Sequence, residues 1–374
     1  MVDCWSRLPQ ELLGCITKRL HSVEDFVRFG AVCKSWRLVT IQRRNYSLKL
    51  SPPWLMLVEN EGNDIRGFYS LSSNKVHHLH LPEAQGRRCW GSPHGWLVTI
   101  GIDLEIHLLS PLTRAQIRVP PQTTFEDLRD PAPPPKEIRD KYIEKAVISS
   151  SPSSSSSSSG DNCIVMAIYG ELSLLAFARP GDKKWTSLEN CPLGFIDLIY
   201  SDGYFFALQS LGNVVKCEIN GPHPKAIDFA SPPPNGDFVE RKYLVDLSGE
   251  LHMVMRNFEN IGPYSSPQSR TTDFKIYKLD SSNMQWMEVQ SLGDRALFVG
   301  NNSTFAISVS DHPEFQGNCI YFTDDYSLFY EFGGGGGADM GIFNYTDHTI
   351  QSCYQGHDII SDFSPPLWIS PNLW

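Results

Sequence analysis

The chain has 374 residues, of which 41% are apolar and 20% are charged. This composition is typical of a folded protein, and the length allows a small module joined to one large domain. No apolar run reaches the length of a membrane-spanning helix, and the start of the chain lacks a signal-peptide pattern. We therefore expect no membrane-bound form.

The nine cysteines are scattered, with no pair in a C-x-x-C arrangement. Such spacing does not indicate a disulfide framework or a zinc site, and it favours reduced thiols. We expect a cytoplasmic location, a nuclear one, or both.

Charge is distributed unevenly along the chain. Residues 1–50 hold 9 Lys and Arg against 4 Asp and Glu, a balance of +5, whereas the remainder holds 23 against 38, a balance of −15. An acidic body argues against a broad nucleic-acid surface. The basic side chains near residues 34–44 are better explained by a solvated face or an acidic protein partner.

The first 46 residues have the periodicity of three short helices. Pro9 suits the first turn of a helix, where its missing N–H loses no partner. Leu12, Ile16 and Leu20 follow at intervals of four and share one face. A second short helix is predicted from the cap at Ser22 to Gly30, and a third carries Val32, Cys33, Trp36 and Val39.

Helices this short cannot bury their apolar faces alone. The spacing of the apolar residues is compatible with two arrangements of these helices. They form an ordinary N-terminal cap packed on the rest of the chain, or they keep an apolar surface for a partner.

The order of residues in this stretch resembles the F-box motif. The matching positions are Leu8, Pro9, Glu11, Leu12, Leu13, Ile16, Leu20, Val32, Cys33, Trp36 and Arg37. The resemblance implies a docking module at 1–46 that binds a Skp-family adaptor and, through it, a cullin. The side chains that it implies for adaptor contact are Leu8, Pro9, Leu12, Ile16, Leu20, Val32, Cys33 and Trp36.

Beyond Pro52-Pro53 the pattern changes to short β-strands separated by turns. Gly and Pro mark many of the turns between them. The predicted strands lie at 54–58, 68–71, 76–81, 95–100, 104–109, 115–119, 142–149, 163–169, 172–178, 196–200, 204–208, 214–218, 226–229, 243–246, 251–255, 274–279, 286–289, 319–323, 341–344 and 350–354.

A run of serines from Ser153 to Ser159 interrupts this series. Such a tract buries too little apolar area to order itself, so residues 149–161 are predicted to be a disordered loop. Because strand-like segments flank it on both sides, we interpret it as a long hairpin tip inside one domain, 51–374.

A strand–turn–strand unit with glycine at the turn recurs at Gly203 and Gly249, 46 positions apart. A four-stranded unit of about 40–50 residues is a propeller blade. The sequence therefore predicts a mainly β protein, a β-propeller of six or seven blades preceded by a small three-helix module. A β-sandwich, or a pair of them, is the alternative.

Segments of the body resemble plant F-box proteins with a KIB-type propeller. They are Cys89–Leu97, Leu109–Thr113, Ile320–Asp325, Asp339–Phe343 and Pro365–Pro371. The resemblance implies a kelch-like β-propeller of the substrate-receptor kind. Gly333–Gly337 departs from it and suggests a flexible insertion.

No catalytic set is visible in the body. Gly333–Gly337 lacks the Lys-Ser/Thr of a phosphate loop, and no G-x-S-x-G elbow occurs. On a strand, His78 and His80 would share a face with His77 opposite, too few ligands for zinc. We expect no catalytic residue, metal site or cofactor, and no target-binding residue can be assigned.

The leading hypothesis is a non-catalytic substrate-recognition subunit of an SCF-type (Skp–cullin–F-box) ubiquitin ligase, whose propeller recruits an unidentified target protein for ubiquitination. A propeller enzyme or carbohydrate-binding protein with a helical cap is the alternative hypothesis.

Overall fold

The computed structural model describes residues 5, 8–17, 29–30, 32–42, 52–60, 62–126, 133–152, 163–234, 241–261, 268–325, 330 and 335–371. Leu20 and most of the predicted second helix lie outside these residues, as does the serine run from Ser153 to Ser159. The boundaries proposed at residues 46 and 51 stay a prediction.

Two helices are described near the N-terminus, α1 (Gln10–Thr17) and α2 (Lys34–Gln42). The Pro9 carbonyl accepts the N–H of Leu13 at 3.1 Å, so the helix begins directly after the proline. The two helices contact each other around a small core of Leu13, Phe29 and Val39.

The rest of the described chain is built mainly from strands, with short helical segments at Pro82–Ala84, Gln122–Thr124, Pro135–Glu137 and Ile138–Tyr142. In chain order they are β1 (Trp54–Glu59), β2 (Ile65–Ser70), β3 (Lys75–His80), β4 (Arg88–Gly91), β5 (Leu97–Ile100), β6 (Ile106–Leu109), β7 (Gln116–Val119), β8 (Ile143–Ile148), β9 (Val165–Tyr169), β10 (Leu174–Ala178), β11 (Thr186–Ser187), β12 (Phe195–Ser201), β13 (Tyr204–Gln209), β14 (Val214–Glu218), β15 (Lys225–Ala230), β16 (Arg241–Leu247), β17 (Glu250–Ile261), β18 (Gln268–Asp280), β19 (Gln285–Glu288), β20 (Arg295–Val299), β21 (Phe305–Ser308), β22 (Cys319–Phe322), β23 (Gly341–Asn344), β24 (Thr349–Gln351) and β25 (Leu367–Ile369).

These strands form six sheets in the described part of the chain. Blade 1 is ordered β25-β1-β2-β3, blades 2 to 5 take the next sixteen strands in groups of four, and blade 6 is ordered β21-β20-β22-β23-β24. The predicted propeller is confirmed with six blades, and the β-sandwich alternative is wrong.

The innermost strands follow one another around the ring. Contacts join β25 to β4, β4 to β8, β8 to β12, β12 to β16, and β16 to β21. Blade 6 departs from the simple pattern because β20 and β22 pair in parallel. In this blade β20 occupies the second position, and the chain then turns back to form β21, the innermost strand.

The apolar core is divided into six clusters, one at each junction between neighbouring blades. The cluster between blades 2 and 3, for example, holds Trp90 and Trp185. Each sheet is therefore buried on both faces by its neighbours, which accounts for the short, almost continuously apolar strands.

The ring is closed by β25, which pairs with β1 so that Trp368 lies opposite Leu55. Trp368 is fully buried, and its ring meets that of Phe298 at a centroid distance of 5.1 Å in an edge-on arrangement. A Cβ on Gly91 would lie 2.1 Å from the Trp368 carbonyl oxygen. Glycine is therefore required for blade 2 to approach the closing strand.

Several strands of the structure were not predicted from the sequence pattern, or were predicted too short. The strands β4, β11, β20, β21 and β25 were not predicted, and the hairpin of β17 and β18 is much longer than the predicted 251–255 and 274–279, with 12 and 13 residues. The period of two cannot detect strands as short as β25, since three residues give almost no alternation.

The glycine run is not a flexible insertion where it is described. A Cβ on Gly336 would lie 2.1 Å from the Tyr330 ring, and one on Gly337 would lie 1.8 Å from the Ile359 carbonyl oxygen. Gly336 also pairs with Ser361 through two backbone hydrogen bonds. These glycines allow close packing, and the prediction of a flexible insertion is wrong for them.

The start of the predicted disordered loop is bonded to its surroundings. Ser149 Oγ accepts the Ile164 N–H at 2.9 Å, and the Trp96 indole donates to Ser151 Oγ at 3.1 Å.

A buried ion pair joins three blades. Lys145 of blade 3 contacts Asp197 of blade 4, and both side chains are almost fully buried. The second Asp197 carboxylate oxygen accepts the N–H of Leu244, in blade 5, at 2.7 Å. Removing one member of such a pair leaves a buried charge without compensation.

The substitution Trp368→Ala is expected to lower the free energy of unfolding by about 3–5 kcal/mol, because it leaves a cavity in the strand that closes the ring. Urea denaturation of the full chain measures this loss. The matched control is Trp5→Ala, since the Trp5 side chain is 65% exposed. Equal effects of the two substitutions would contradict the role of Trp368 in closure.

The substitution Lys145→Met is expected to cost about 3–5 kcal/mol of unfolding free energy because it strands the Asp197 carboxylate. Adding Asp197→Asn should restore much of the loss, since the amide oxygen can still accept the Leu244 N–H. Denaturation midpoints of both variants test this coupling. A double variant no more stable than the single one would refute it.

Candidate functional site

Three of the side chains expected to contact an adaptor are exposed. Leu12 and Val32 each expose more than half of their surface, and Pro9, directly before α1, is also exposed. Exposed aliphatic side chains on a small helical module provide apolar surface that a partner can cover.

Four other expected contact residues are partly buried. Leu8, Ile16 and Trp36 pack against the small core of Leu13, Phe29 and Val39. The Trp36 ring lies 4.3 Å from that of Phe29, and its indole N–H donates to the Trp5 carbonyl at 2.9 Å. Trp36 therefore supports the module as well as showing part of its surface. Cys33 is the fourth of these residues.

Cys33 precedes α2 and is partly exposed. Its sulfur lies 3.1 Å from the Ser35 hydroxyl. This hydrogen bond, together with the backbone N–H of Trp36, lowers the pKa of the Cys33 thiol. Hydrogen bonds to the sulfur favour its thiolate form.

Leu20, the eighth expected contact residue, lies outside the described residues. Two further exposed apolar side chains were not among the expected set, Trp5 and Leu38. Leu38 falls on the opposite side of α2 from the buried Val39-Trp36 face, which a helical projection could have shown.

The ring contains a buried polar network around Arg256. Its guanidinium donates to the Thr323 carbonyl at 2.8 Å and to Asp339 Oδ2, also at 2.8 Å. Asp339 Oδ1 accepts the backbone N–H of Thr271 at 3.0 Å. These contacts fasten blade 5 to the segment between β22 and β23.

A second arginine extends this network across the ring. Arg241, at the start of β16, lies 3.4 Å from Glu144 of blade 3 and 3.4 Å from Asp325 beyond β22. The Tyr243 hydroxyl donates to Asp325 Oδ1 at 3.1 Å. Because blades 3, 5 and 6 meet here, the ends of their strands are linked through the centre of the ring.

The pKa shifts in this network follow from burial and charge. Burial alone would lower the pKa of the Arg256 guanidinium, but Tyr243, Asp339 and Asp325 raise it above its usual value. Burial raises the pKa of the Glu144 carboxyl, against the influence of Arg241 and Arg88. A carboxyl with a raised pKa can belong to a catalytic site or to a structural ion-pair network.

The hydrogen bonds favour the structural role. Asp325 accepts from Arg241, Arg256 and Tyr243, and Asp339 accepts from Arg256 and Thr271. These carboxylates are held by neighbouring side chains. Buried charges retained in this way are paired and hydrogen-bonded.

The described residues contain no group of three or more His, Cys, Asp or Glu side chains placed to hold a metal ion. Of the histidines on β3, His77 stacks on Trp54 and His80 faces Asp64. Among the described helices, none has the length and apolar character needed to cross a bilayer.

Two family profiles match the sequence. The profile described as KIB1-4 beta-propeller matches residues 68–344, and the profile described as F-box-like matches residues 5–46. The first covers most of the ring, and the second covers both described helices.

Curated relatives from Arabidopsis thaliana are similar over almost the whole chain. An F-box protein designated At5g55150 is 29% identical, over 94% of this chain and 93% of its own length. F-box protein SKIP23 is 28% identical, over 99% of this chain and 96% of its own length.

Among solved structures, a protein of unknown function from Bacteroides caccae covers 85% of this chain and 98% of its own, with 11% identity and a TM-score of 0.39. That likeness is too distant to support an argument. The family rests instead on the sequence profiles and on the six-bladed ring. The chain belongs to the KIB1-4 β-propeller family and carries an F-box-like region at its N-terminus.

Proposed function

We propose that this protein is a substrate-recognition subunit of an SCF-type ubiquitin ligase. One observation carries the proposal: a single chain joins an F-box-like module with exposed apolar side chains to a six-bladed propeller. The module binds a Skp-family adaptor, which connects it to a cullin, and the propeller recruits a target protein. The chain itself is a non-catalytic adaptor.

In this proposal the adaptor covers the apolar side chains that the module leaves exposed. Leu12, Val32 and Pro9 form the accessible part of the contact, and Leu8, Ile16, Cys33, Trp36 and Leu20 complete it. Burying an exposed leucine or valine side chain contributes about 1.5–3 kcal/mol. A few such residues dominate a protein–protein interface of ordinary size.

The subunit acts by proximity. A target bound to the propeller and a ubiquitin donor bound through the cullin become parts of one assembly, so transfer of ubiquitin no longer depends on their free concentrations. A rigid ring suits this role because its loops hold a binding surface in fixed geometry.

We propose that this function is carried out in the cytosol or the nucleus. The described cysteines are all free, as in proteins of reducing compartments. The acidic body favours a protein partner over nucleic acid.

The double substitution Leu12→Asp/Val32→Asp is expected to weaken binding of a purified Skp-family adaptor by about 10–100-fold, since it places two charges in an apolar contact. Titration calorimetry with the full chain measures the affinity. Helix content and thermal unfolding should change little, because both side chains are more than half exposed.

The matched control is Leu211→Asp, which changes a leucine of similar exposure on the propeller. It should leave adaptor binding intact. If the unmodified chain does not bind the adaptor, or if the double variant binds as tightly, the proposed function fails.

A further inference from the structure

Exposed aliphatic side chains recur in the same turn of three consecutive blades, and a further one lies on the long hairpin of the next blade. The turns between the second and third strands of blades 2, 3 and 4 carry Ile102, Leu172 and Leu211, which are 61%, 52% and 59% exposed. In blade 5 the exposed Ile261 ends the second strand, β17. Polar residues, glycine and proline normally occupy such turns.

These turns lie at one end of the ring. The Leu104 carbonyl, in the blade 2 turn, accepts the N–H of Gln122 at 2.9 Å, and the Leu172 carbonyl accepts the N–H of Gly194 at 2.9 Å. Gln122 and Gly194 belong to the connections that lead to the innermost strands β8 and β12. Since every such connection reaches the end where an innermost strand begins, the turns share that end.

Backbone hydrogen bonds bring three of the leucines close together. Gly194 donates its N–H to Leu172 and accepts the N–H of Ser210 through its carbonyl, both at 2.9 Å. This chain of backbone bonds places Leu193, itself half-exposed, between Leu172 and Leu211. We name Ile102, Leu172, Leu193, Leu211 and Ile261 the apolar arc.

Packing does not explain the apolar arc. Its members keep much of their surface in contact with solvent, so they add little to the apolar clusters between blades. Contiguous apolar surface on a folded protein commonly marks an interaction site.

The charge around the apolar arc indicates its partner. Asp103 follows Ile102 and stays half-exposed although Arg87 contacts it, and Glu171 precedes Leu172 and is exposed. The nearby Lys242 is buried and donates to the Ser210 carbonyl, so it presents little positive charge. Arg118 is 71% exposed, but its guanidinium is paired with Glu105 of the blade 2 turn at 3.3 Å. The chain beyond residue 50 has a balance of −15, with 23 Lys and Arg against 38 Asp and Glu.

We propose that the apolar arc binds a segment of the target protein in which aliphatic side chains are flanked by lysine or arginine. The aliphatic side chains cover the leucines of blades 3 and 4, and the basic side chains face the acidic ring. This inference rests on the proposed function, because it names the surface and the class of target. Complementary charge speeds association and selects against acidic competitors.

The test is a selection of random phage-displayed peptides on the immobilised full chain. We expect the enriched peptides to combine Leu, Ile or Met with a net positive charge. Resynthesised peptides should bind the variant Leu172→Ser/Leu211→Ser about tenfold or more weakly than the unmodified chain. Their affinity should also fall as salt is raised, because exposed charges are screened.

The matched control is Ile227→Ser/Ile350→Ser, which removes two exposed isoleucines from the outermost strands β15 and β24. It should change affinity by less than about twofold. Enrichment of acidic or wholly polar peptides, no enrichment, or equal binding to the Leu172/Leu211 variant would each overturn the proposal.

Two further measurements separate the alternatives. Self-association of the full chain that disappears in the Leu172/Leu211 variant would show that a second copy, and not a target segment, covers the apolar arc. Adaptor affinity is measured on the same variant and should be unchanged. Failure of the unmodified chain to bind the adaptor would instead count against the proposed function.

Discussion

The pairing of β25 with β1 is the contact on which the ring depends. Each apolar cluster lies between two neighbouring blades, so no blade buries its own faces. Blade 1 is completed only when a three-residue strand returns from the far end of the chain. Trp368 on that strand enters the cluster shared by blades 6 and 1. Closure thus completes blade 1 and joins it to blade 6, and stability is expected to be cooperative around the whole ring.

The buried ion pairs between blades fix the geometry of the ring, in addition to the apolar clusters at the junctions. Arg256 and Arg241 reach carboxylates and carbonyls on other blades, and Lys145 reaches Asp197. Buried ion pairs contribute little net stability, because desolvation offsets their attraction. Their geometry nevertheless fixes how strand ends of blades 3 to 6 meet. The convergence of carboxyl groups at the centre of the ring is accounted for by these hydrogen bonds and ion pairs between blades.

Much of the fold could be predicted from local pattern. The period of two located strands such as Val214–Glu218 to the residue, and the repeat at Gly203 and Gly249 indicated blades. Pairing between strands that are far apart in the sequence could not be predicted from this local pattern. β25 has three residues and finds its partner more than 300 positions away, and the return of β21 to the innermost position of blade 6 leaves no periodic trace. The N-terminal module differs in this respect, because the residues that resemble the F-box motif lie close together in the sequence.

The apolar arc shows why a binding surface is harder to predict than a core. Leu172, Leu193 and Leu211 each resemble a single exposed leucine in the sequence, and single exposed leucines are ordinary. Only the ring brings them together, because equivalent turns of successive blades share one end. The repeated blades form the folded ring, and the same repetition brings exposed leucines of successive blades to one end of it. Selection on those turns can therefore change what the ring binds while the clusters between blades, and hence the fold, stay the same.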